Sequence, residues 1–247
     1  MGNKDIFLSV VIPAFNEEKP LPETLNSVFG YLKKQTYSWE VIVSNDGSKD
    51  HTGNLILEFQ KSYPELKLVD NRKNQGKGFA VKSGVLQSRG ELVLFMDADN
   101  STKIWELEKA LPFLVSSSSR PSSDVADIVI GSRRLKNSFI TKFQPMHRQL
   151  LGEFFRIFVK IVFGLPFDDT QAGFKVFNRK ARKVFELQTL SGFSFDVELL
   201  FLAKKLGLKI KEIPIQWQNN ADSHVSFRKM LQAIIDLIKL RFKRYNI

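Results

Sequence analysis

Apolar residues in the first 132 positions follow two rhythms that alternate along the chain. Short, nearly unbroken runs at 8–13, 40–44, 66–69, 91–96 and 127–131 are rich in Val, Ile and Leu, as in strands covered on both faces. Between them lie longer stretches whose apolar positions recur three and four apart. These predict helices over 21–34, over about 52–63, after Gly78 and from near Ser101. Such alternation predicts an α/β fold: a mostly parallel central sheet with helices on both faces, and functional groups beyond the carboxyl ends of the strands.

The second half has another texture. Ser116–Asp124 is a Ser-rich stretch that reads as a surface loop, and no internal repeat follows it. Leu150–Phe163 is apolar around most of its girth, with Glu153, Arg156 and Lys160 forming one narrow polar stripe. A last helix from about Ser226 sets Leu231, Ile234, Ile238 and Phe242 against Gln232, Asp236, Lys239 and Lys243. Helices of this kind are buried in a core or lie in a membrane interface.

Composition narrows the chemistry. With no cysteine, the 247-residue chain has no disulfide, thiolate-bound metal or thiol nucleophile, and His51, His147 and His224 are isolated in sequence. A metal, if used, sits on oxygen ligands. The net charge of +11 points to an anionic partner: nucleotide, phosphate, nucleic acid or a membrane surface. No recognised nucleic-acid-binding motif is present, so nucleic acid is not expected. The longest stretch without Asp, Glu, Lys or Arg is 6–16, far short of the ~20 apolar residues of a spanning helix. The N-terminus shows no signal-peptide pattern, and the expected location is cytoplasmic.

Polar motifs fall just after the predicted strands. Asp97-Ala98-Asp99 follows the 91–96 run; residues two apart in an extended chain share a side, so the two carboxylates could hold one hard cation with Ala98 turned into the fold. The competing reading is a polar loop capping the next helix. Asp46-Gly47-Ser48 and Pro13-Ala14-Phe15-Asn16-Glu17-Glu18 leave two other strands similarly. Asn74-Gln75-Gly76-Lys77-Gly78 supplies a cation and backbone donors, but matches neither the dinucleotide nor the P-loop fingerprint.

These motifs, in this order, resemble inverting glycosyltransferase family 2. The later segments Asp169-Thr-Gln-Ala-Gly-Phe-Lys-Val-Phe, Phe195-Asp-Val-Glu-Leu-Leu, Glu212-Ile-Pro-Ile-Gln-Trp and His224-Val-Ser are similar to those of dolichyl-phosphate β-glucosyltransferases, with dolichyl-phosphate mannosyltransferases as near relatives. The resemblance runs over about residues 8–245. It implies one catalytic domain of the GT-A type nucleotide-diphospho-sugar transferase fold, spanning 1–247. About 6–134 would bind a nucleotide sugar, and about 135–247 the acceptor and membrane interface.

The implied donor is UDP-glucose, the cofactor Mg²⁺ or Mn²⁺, and the acceptor a polyprenyl phosphate. The implied setting is peripheral, on the cytoplasmic face of an anionic membrane. By the same resemblance Pro13, Ala14, Glu17 and Asp46 line the base and ribose pocket with Lys77 nearby. Asp97 and Asp99 take ribose and metal–diphosphate, and Arg133 faces phosphate. This chain has Asn100-Ser101-Thr102 where glucosyl relatives tend to have Gly-Ala-Thr and mannosyl ones Leu-Gln, so a third metal ligand is left open.

The chemistry adds further candidates. A phosphate monoester, with a second pKa near ~6, is already nucleophilic at neutral pH, so the enzyme needs placement and charge compensation more than a base. Arg133 and Arg148 are the expected acceptor-phosphate cations, Asp169 a part of the site's architecture, and Gln171 a contact to sugar hydroxyls. The alternatives are transfer from GDP-mannose, or a silent nucleotide- or membrane-binding module on the same fold.

Overall fold

The computed structural model describes residues 5–116, 125–141, 146–218 and 227–245, with the side chains of 146–150 and 227–230 outside that description. Nine strands and eight α-helices occur among the described residues. A seven-stranded sheet has the order β3-β2-β1-β4-β7-β5-β8. Its strands are β1 (Leu8–Ala14), β2 (Trp39–Asn45), β3 (Leu66–Asp70), β4 (Leu92–Met96), β5 (Ile128–Ser132), β7 (Phe174–Asn178) and β8 (Ile210–Pro214). A two-stranded piece pairs β6 (Phe139–Ile140) with β9 (Gln216–Trp217).

All seven residues of β1 are buried, as a strand covered on both faces requires. Its alternate side chains divide between two cores. Leu8, Val10 and Ile12 join α1 (Leu21–Leu32), α2 (Thr52–Ser62) and α4 (Leu107–Leu114), while Val11 joins the other face. That face is covered by α3 (Lys77–Gln87), α5 (Met146–Phe163), α6 (Lys183–Leu187), α7 (Phe195–Lys205) and α8 (Phe227–Phe242). The helix expected from Ser101 begins later, as a 3₁₀ turn at Ile104–Glu106 that runs into α4.

β7 is the one reversed strand. It pairs antiparallel with both β4 and β5, the remaining ladders being parallel. The sheet is therefore continuous across the two textures of the sequence. The start of β7 also lies at the edge where β1, β2, β4 and β5 end, since Met96 faces Phe174. Polar segments from both halves meet along that edge. The Ser-rich loop falls mostly, and the His224 motif wholly, outside the described residues.

Candidate active site

The exit loop of β1 is fastened to that of β2. Asn16 N–H donates to Ser48 Oγ at 3.0 Å, Glu17 N–H to Thr52 Oγ1 at 2.8 Å, and Lys49 N–H to Asn16 Oδ1 at 2.8 Å. This places Pro13, Ala14 and Glu17 beside Asp46. Asp46 is itself 2% exposed, and its carboxylate accepts the backbone N–H groups of Gln75 at 3.0 Å and Gly76 at 2.7 Å. Burial raises its pKa against the pull of those two amides.

The 74–78 turn therefore works differently from a loop that offers backbone donors to an anion. Asp46 occupies the Gln75 and Gly76 amides, and the Gly78 amide donates to Ser191 O at 2.8 Å. What remains directed into the site is the Lys77 side chain. Its Nζ lies 2.7 Å from Asp97 Oδ1. Burial works against the ammonium, but Asp97 and then Asp196 outweigh it and hold its pKa above the ordinary lysine value.

Asp97 and Asp99 stand at the end of β4 around Ala98, which is 4% exposed and whose carbonyl accepts Thr24 Oγ1 at 2.5 Å. Asn100 turns the chain with φ 57°, and Asp99 Oδ1 accepts the Ser101 N–H at 3.0 Å. Burial raises the Asp99 pKa, and the charge of Asp97 adds to it. Glu17 feels both aspartates: burial first, then Asp99 and Asp97, push its carboxyl up to about 7. The three acids thus share a surplus of negative charge that Lys77 relieves only in part. Among the described residues no set of three or more His, Cys, Asp or Glu side chains is arranged to hold a metal unaided.

Arg133 and Asp169 form a second cluster. The guanidinium grips Asp169 with two bonds, Nε to Oδ2 at 2.6 Å and Nη2 to Oδ1 at 2.9 Å, and the Arg133 N–H adds a third at 3.1 Å. Burial alone would raise the Asp169 pKa; Arg133 overrides it and holds the carboxyl below its ordinary range. The Arg133 Cζ also lies 5.3 Å from the centre of the Trp217 ring. Glu212 fixes the turn beneath by accepting the N–H groups of Asp168 at 3.0 Å and Asp169 at 2.8 Å. The Gln171 N–H donates to Asp169 Oδ1 at 3.3 Å. Arg148 belongs to α5, but its side chain lies outside the described residues.

Glu212 and Trp217 stand in the Glu212-Ile-Pro-Ile-Gln-Trp segment, whose sequence alone points to no role for either; their link to Arg133 depends on β8 lying beside β5. Asp196 and Glu198 share the Phe195-Asp-Val-Glu segment but take different kinds of partner. Asp196 pairs with a lysine, the fully buried Lys175, at 2.6 Å. Glu198 instead accepts backbone amides and hydroxyls.

A sheet of this order, with acidic and basic clusters along one edge, has relatives. The family model for glycosyl transferase family 2 matches residues 9–185. Glucosyl-3-phosphoglycerate synthase from Mycobacterium tuberculosis, solved with Mn²⁺, uridine diphosphate and phosphoglyceric acid, shares the fold with TM-score 0.66 and 18% identity, over 98% of this chain and 80% of that one. A dolichyl-phosphate β-glucosyltransferase of Trichomonas vaginalis is 38% identical, covering 95% of this chain and 73% of its own. One from Saccharomyces cerevisiae is 36% identical, covering 96% and 73%. The chain belongs to glycosyltransferase family 2, on the GT-A fold, and within it to the dolichyl-phosphate β-glucosyltransferases.

Proposed function

We propose that this protein transfers glucose from UDP-glucose to the phosphate of a dolichyl or other polyprenyl lipid, inverting the anomeric centre. The observation that carries this reading is the meeting, on one sheet edge, of an Asp97–Asp99–Lys77 cluster with an Arg133–Asp169–Trp217 cluster. The first suits a sugar diphosphate; the second presents a cation beside an aromatic face.

Asp97 and Asp99 are the residues that would hold Mg²⁺ or Mn²⁺. The raised pKa of Asp99 marks negative charge that a cation would compensate, and two carboxylates leave room for diphosphate oxygens. Such an ion, when bound, offsets the charge that develops on the leaving diphosphate. Lys77 adds a second positive charge there. Asp46 keeps the 75–76 backbone, and with it Lys77, in register with the exits of β1 and β2.

The acceptor phosphate is dianionic at neutral pH, so an oxygen of it attacks the anomeric carbon as the bond to the diphosphate breaks, with no proton to remove. Asp169 occupies two edges of the Arg133 fork and so orients the remaining N–H groups toward an incoming phosphate. Gln171, on the same turn, is placed for sugar hydroxyls. Arg148 is proposed as a further phosphate contact.

The lipid reaches this edge along α5 and α8. No helix among the described residues is long and apolar enough to cross a membrane. Yet α5 exposes Leu151, Phe154, Ile157 and Ile161, and α8 exposes Leu231, Ile235, Ile238 and Phe242. The two helices meet where Arg241 Nε donates to Val162 O at 3.0 Å. Exposed Lys239, Lys243 and Arg244 accompany the apolar line, a combination attracted to anionic lipid. In this reading the enzyme acts peripherally, at the cytoplasmic face of an anionic membrane, and the exposed apolar and basic residues of α5 and α8 support the membrane contact.

A donor screen tests the reading. The protein, a polyprenyl phosphate and Mg²⁺ or Mn²⁺ are mixed with radiolabelled UDP-glucose, GDP-mannose or UDP-N-acetylglucosamine, and lipid-extractable label is counted. Label from UDP-glucose alone is expected; label from GDP-mannose alone, or from none, overturns it.

A further inference from the structure

The side chain of Glu198 is fully buried, yet no Lys or Arg among the described residues pairs with it. Four donors surround it instead. It accepts the N–H of Thr189 at 2.9 Å, the hydroxyl of Thr189 at 2.7 Å, the N–H of Leu190 at 2.7 Å and the phenol of Tyr245 at 2.5 Å. A buried carboxylate satisfied by that many donors defines the path of the chain that supplies them.

That chain is the 188–191 loop, and it lies against the first turn of α3. Ser191 O accepts the Gly78 N–H at 2.8 Å and the Phe79 N–H at 3.3 Å. Gln188 Nε2 closes the contact, donating to Gly78 O at 2.9 Å and to Leu190 O at 2.8 Å. The two glycines that flank Lys77 answer to this fit. A Cβ on Gly76, where φ is 106°, would strike the Ser191 carbonyl; one on Gly78 would lie 2.6 Å from Phe195 Cβ and 2.8 Å from Leu190 O. The glycines therefore admit the loop.

We propose that Glu198 is a positioning residue for Lys77, and that Tyr245 ties the end of the C-terminal helix into the same contact. The inference rests on Lys77 serving the nucleotide donor. Lysine has four rotatable side-chain bonds, so where its ammonium meets Asp97 depends on how firmly its backbone is seated. Glu198 seats that backbone through the 188–191 loop. Burial, and then Glu198, raise the Tyr245 pKa, so the phenol remains a donor throughout the physiological range. The dependence of Lys77 on a residue beyond α8 is visible only in three dimensions.

The test is a double-mutant cycle read by calorimetric titration with UDP and Mn²⁺, well below the unfolding temperature. Tyr245→Phe removes one hydrogen bond and keeps the ring, and is expected to weaken UDP binding about three- to tenfold. Lys77→Met weakens it as well. Because Tyr245 acts through Lys77, the double variant should bind within about twofold of Lys77→Met alone. Glu198→Gln, which turns an amide donor toward the Thr189 and Leu190 amides, should exceed Tyr245→Phe in effect if it folds. A purely structural Tyr245 would lower the unfolding temperature and leave UDP affinity intact, and that result overturns the proposal. So does full multiplication of the two penalties in the double variant. If the unaltered protein binds no UDP, the donor reading fails and takes the proposal with it; normal binding with an unaffected Tyr245→Phe removes the proposal alone.

Discussion

The carboxylate of Asp97 rests on the α-carbon of Gly173, at a separation that leaves no space for a Cβ, while the Asp97 N–H donates to Gly173 O at 3.1 Å. The residue that leads into β7, from the second half of the chain, thus sets the height of a carboxylate on the first. Gly173→Ala must push the Asp97 side chain away from Lys77 or shift β7. Turnover should fall by about 100-fold, the scale of a 1 Å misplacement at a reacting centre. Circular dichroism and the unfolding temperature should stay close to those of the parent. Near-normal turnover by a folded Gly173→Ala protein would show that the position of Asp97 is immaterial.

Asp99 is half-buried beside Asp97, and burial together with that neighbouring charge raises its carboxyl pKa. Asp99→Ala should abolish metal-dependent transfer while the protein remains folded. Because folding raises this carboxyl's pKa, the metal-free variant should also be slightly more stable than the parent at a pH where the parent has to keep Asp99 ionised. Comparing turnover with thermal unfolding in a chelating buffer checks both halves; a folded Asp99→Ala enzyme that still turns over would refute the assignment.

The pKa of Glu17 is raised from 4.5 to about 7. A carboxyl raised on folding contributes stability below its unfolded pKa and loses it as pH rises through the folded value. Relative to Glu17→Gln, the metal-free parent should therefore lose stability between pH 4.5 and 7. A cation at Asp97 and Asp99 would remove the repulsion and expel the Glu17 proton. Calorimetry with Mn²⁺ at pH 6.5 in buffers of different ionisation enthalpy should detect a released proton in the parent and a smaller release in Glu17→Gln. Equal release from both proteins would exclude Glu17 as its source.

Much of the Asp46–Asp97–Asp99 side of the candidate site was legible because it is local. Asp97-Ala98-Asp99 and Asp46-Gly47-Ser48 follow strands whose apolar runs are unmistakable, and Ala98 turns inward as the alternation requires. Contacts made across the sheet were not legible. Nothing in Phe174–Asn178 says that this strand runs against its neighbours, because its direction depends on where the connection through α5 returns the chain. That reversal brings Gly173 under Asp97. The Gly76-Lys77-Gly78 turn shows a further limit. Its glycines suggested backbone donors free for an anion, whereas Asp46 and Ser191 consume the amides. On α8, Leu231, Ile234, Ile238 and Phe242 read as one apolar face. The helix in fact packs Ala233, Leu237 and Leu240 on the core and leaves Ile235 in the exposed line with Leu231, Ile238 and Phe242.

Arg133→Ala removes the only guanidinium that grips Asp169 among the described residues. Leaving a buried carboxylate unpaired costs about 3–5 kcal/mol, so this variant should lose stability as well as the use of polyprenyl phosphate. Removing both partners separates the effects. Arg133→Ala with Asp169→Ala should regain most of the unfolding temperature and none of the acceptor-dependent rate, while UDP affinity is little changed in either variant. If UDP affinity alone falls, Arg133 belongs to the donor side.

The exposed lines on α5 and α8 give a prediction about location. Phe154, Ile157 and Ile161 succeed one another at spacings of three and four, as do Leu231, Ile235, Ile238 and Phe242, so each set forms one stripe on its helix. Phe242 is 81% and Ile161 77% exposed, which in water is unfavourable by about 25 cal/mol for each Å² of apolar surface. Glutamate at these two positions should leave the fold and UDP binding unchanged, because neither side chain packs on the core. It should abolish flotation with vesicles containing anionic lipid, since a buried apolar group is replaced by a charge repelled by the surface. Turnover with a short, water-soluble prenyl phosphate should persist, while turnover with long-chain acceptor in vesicles falls steeply. Undiminished flotation of Ile161→Glu/Phe242→Glu would place the membrane-facing surface elsewhere on the molecule.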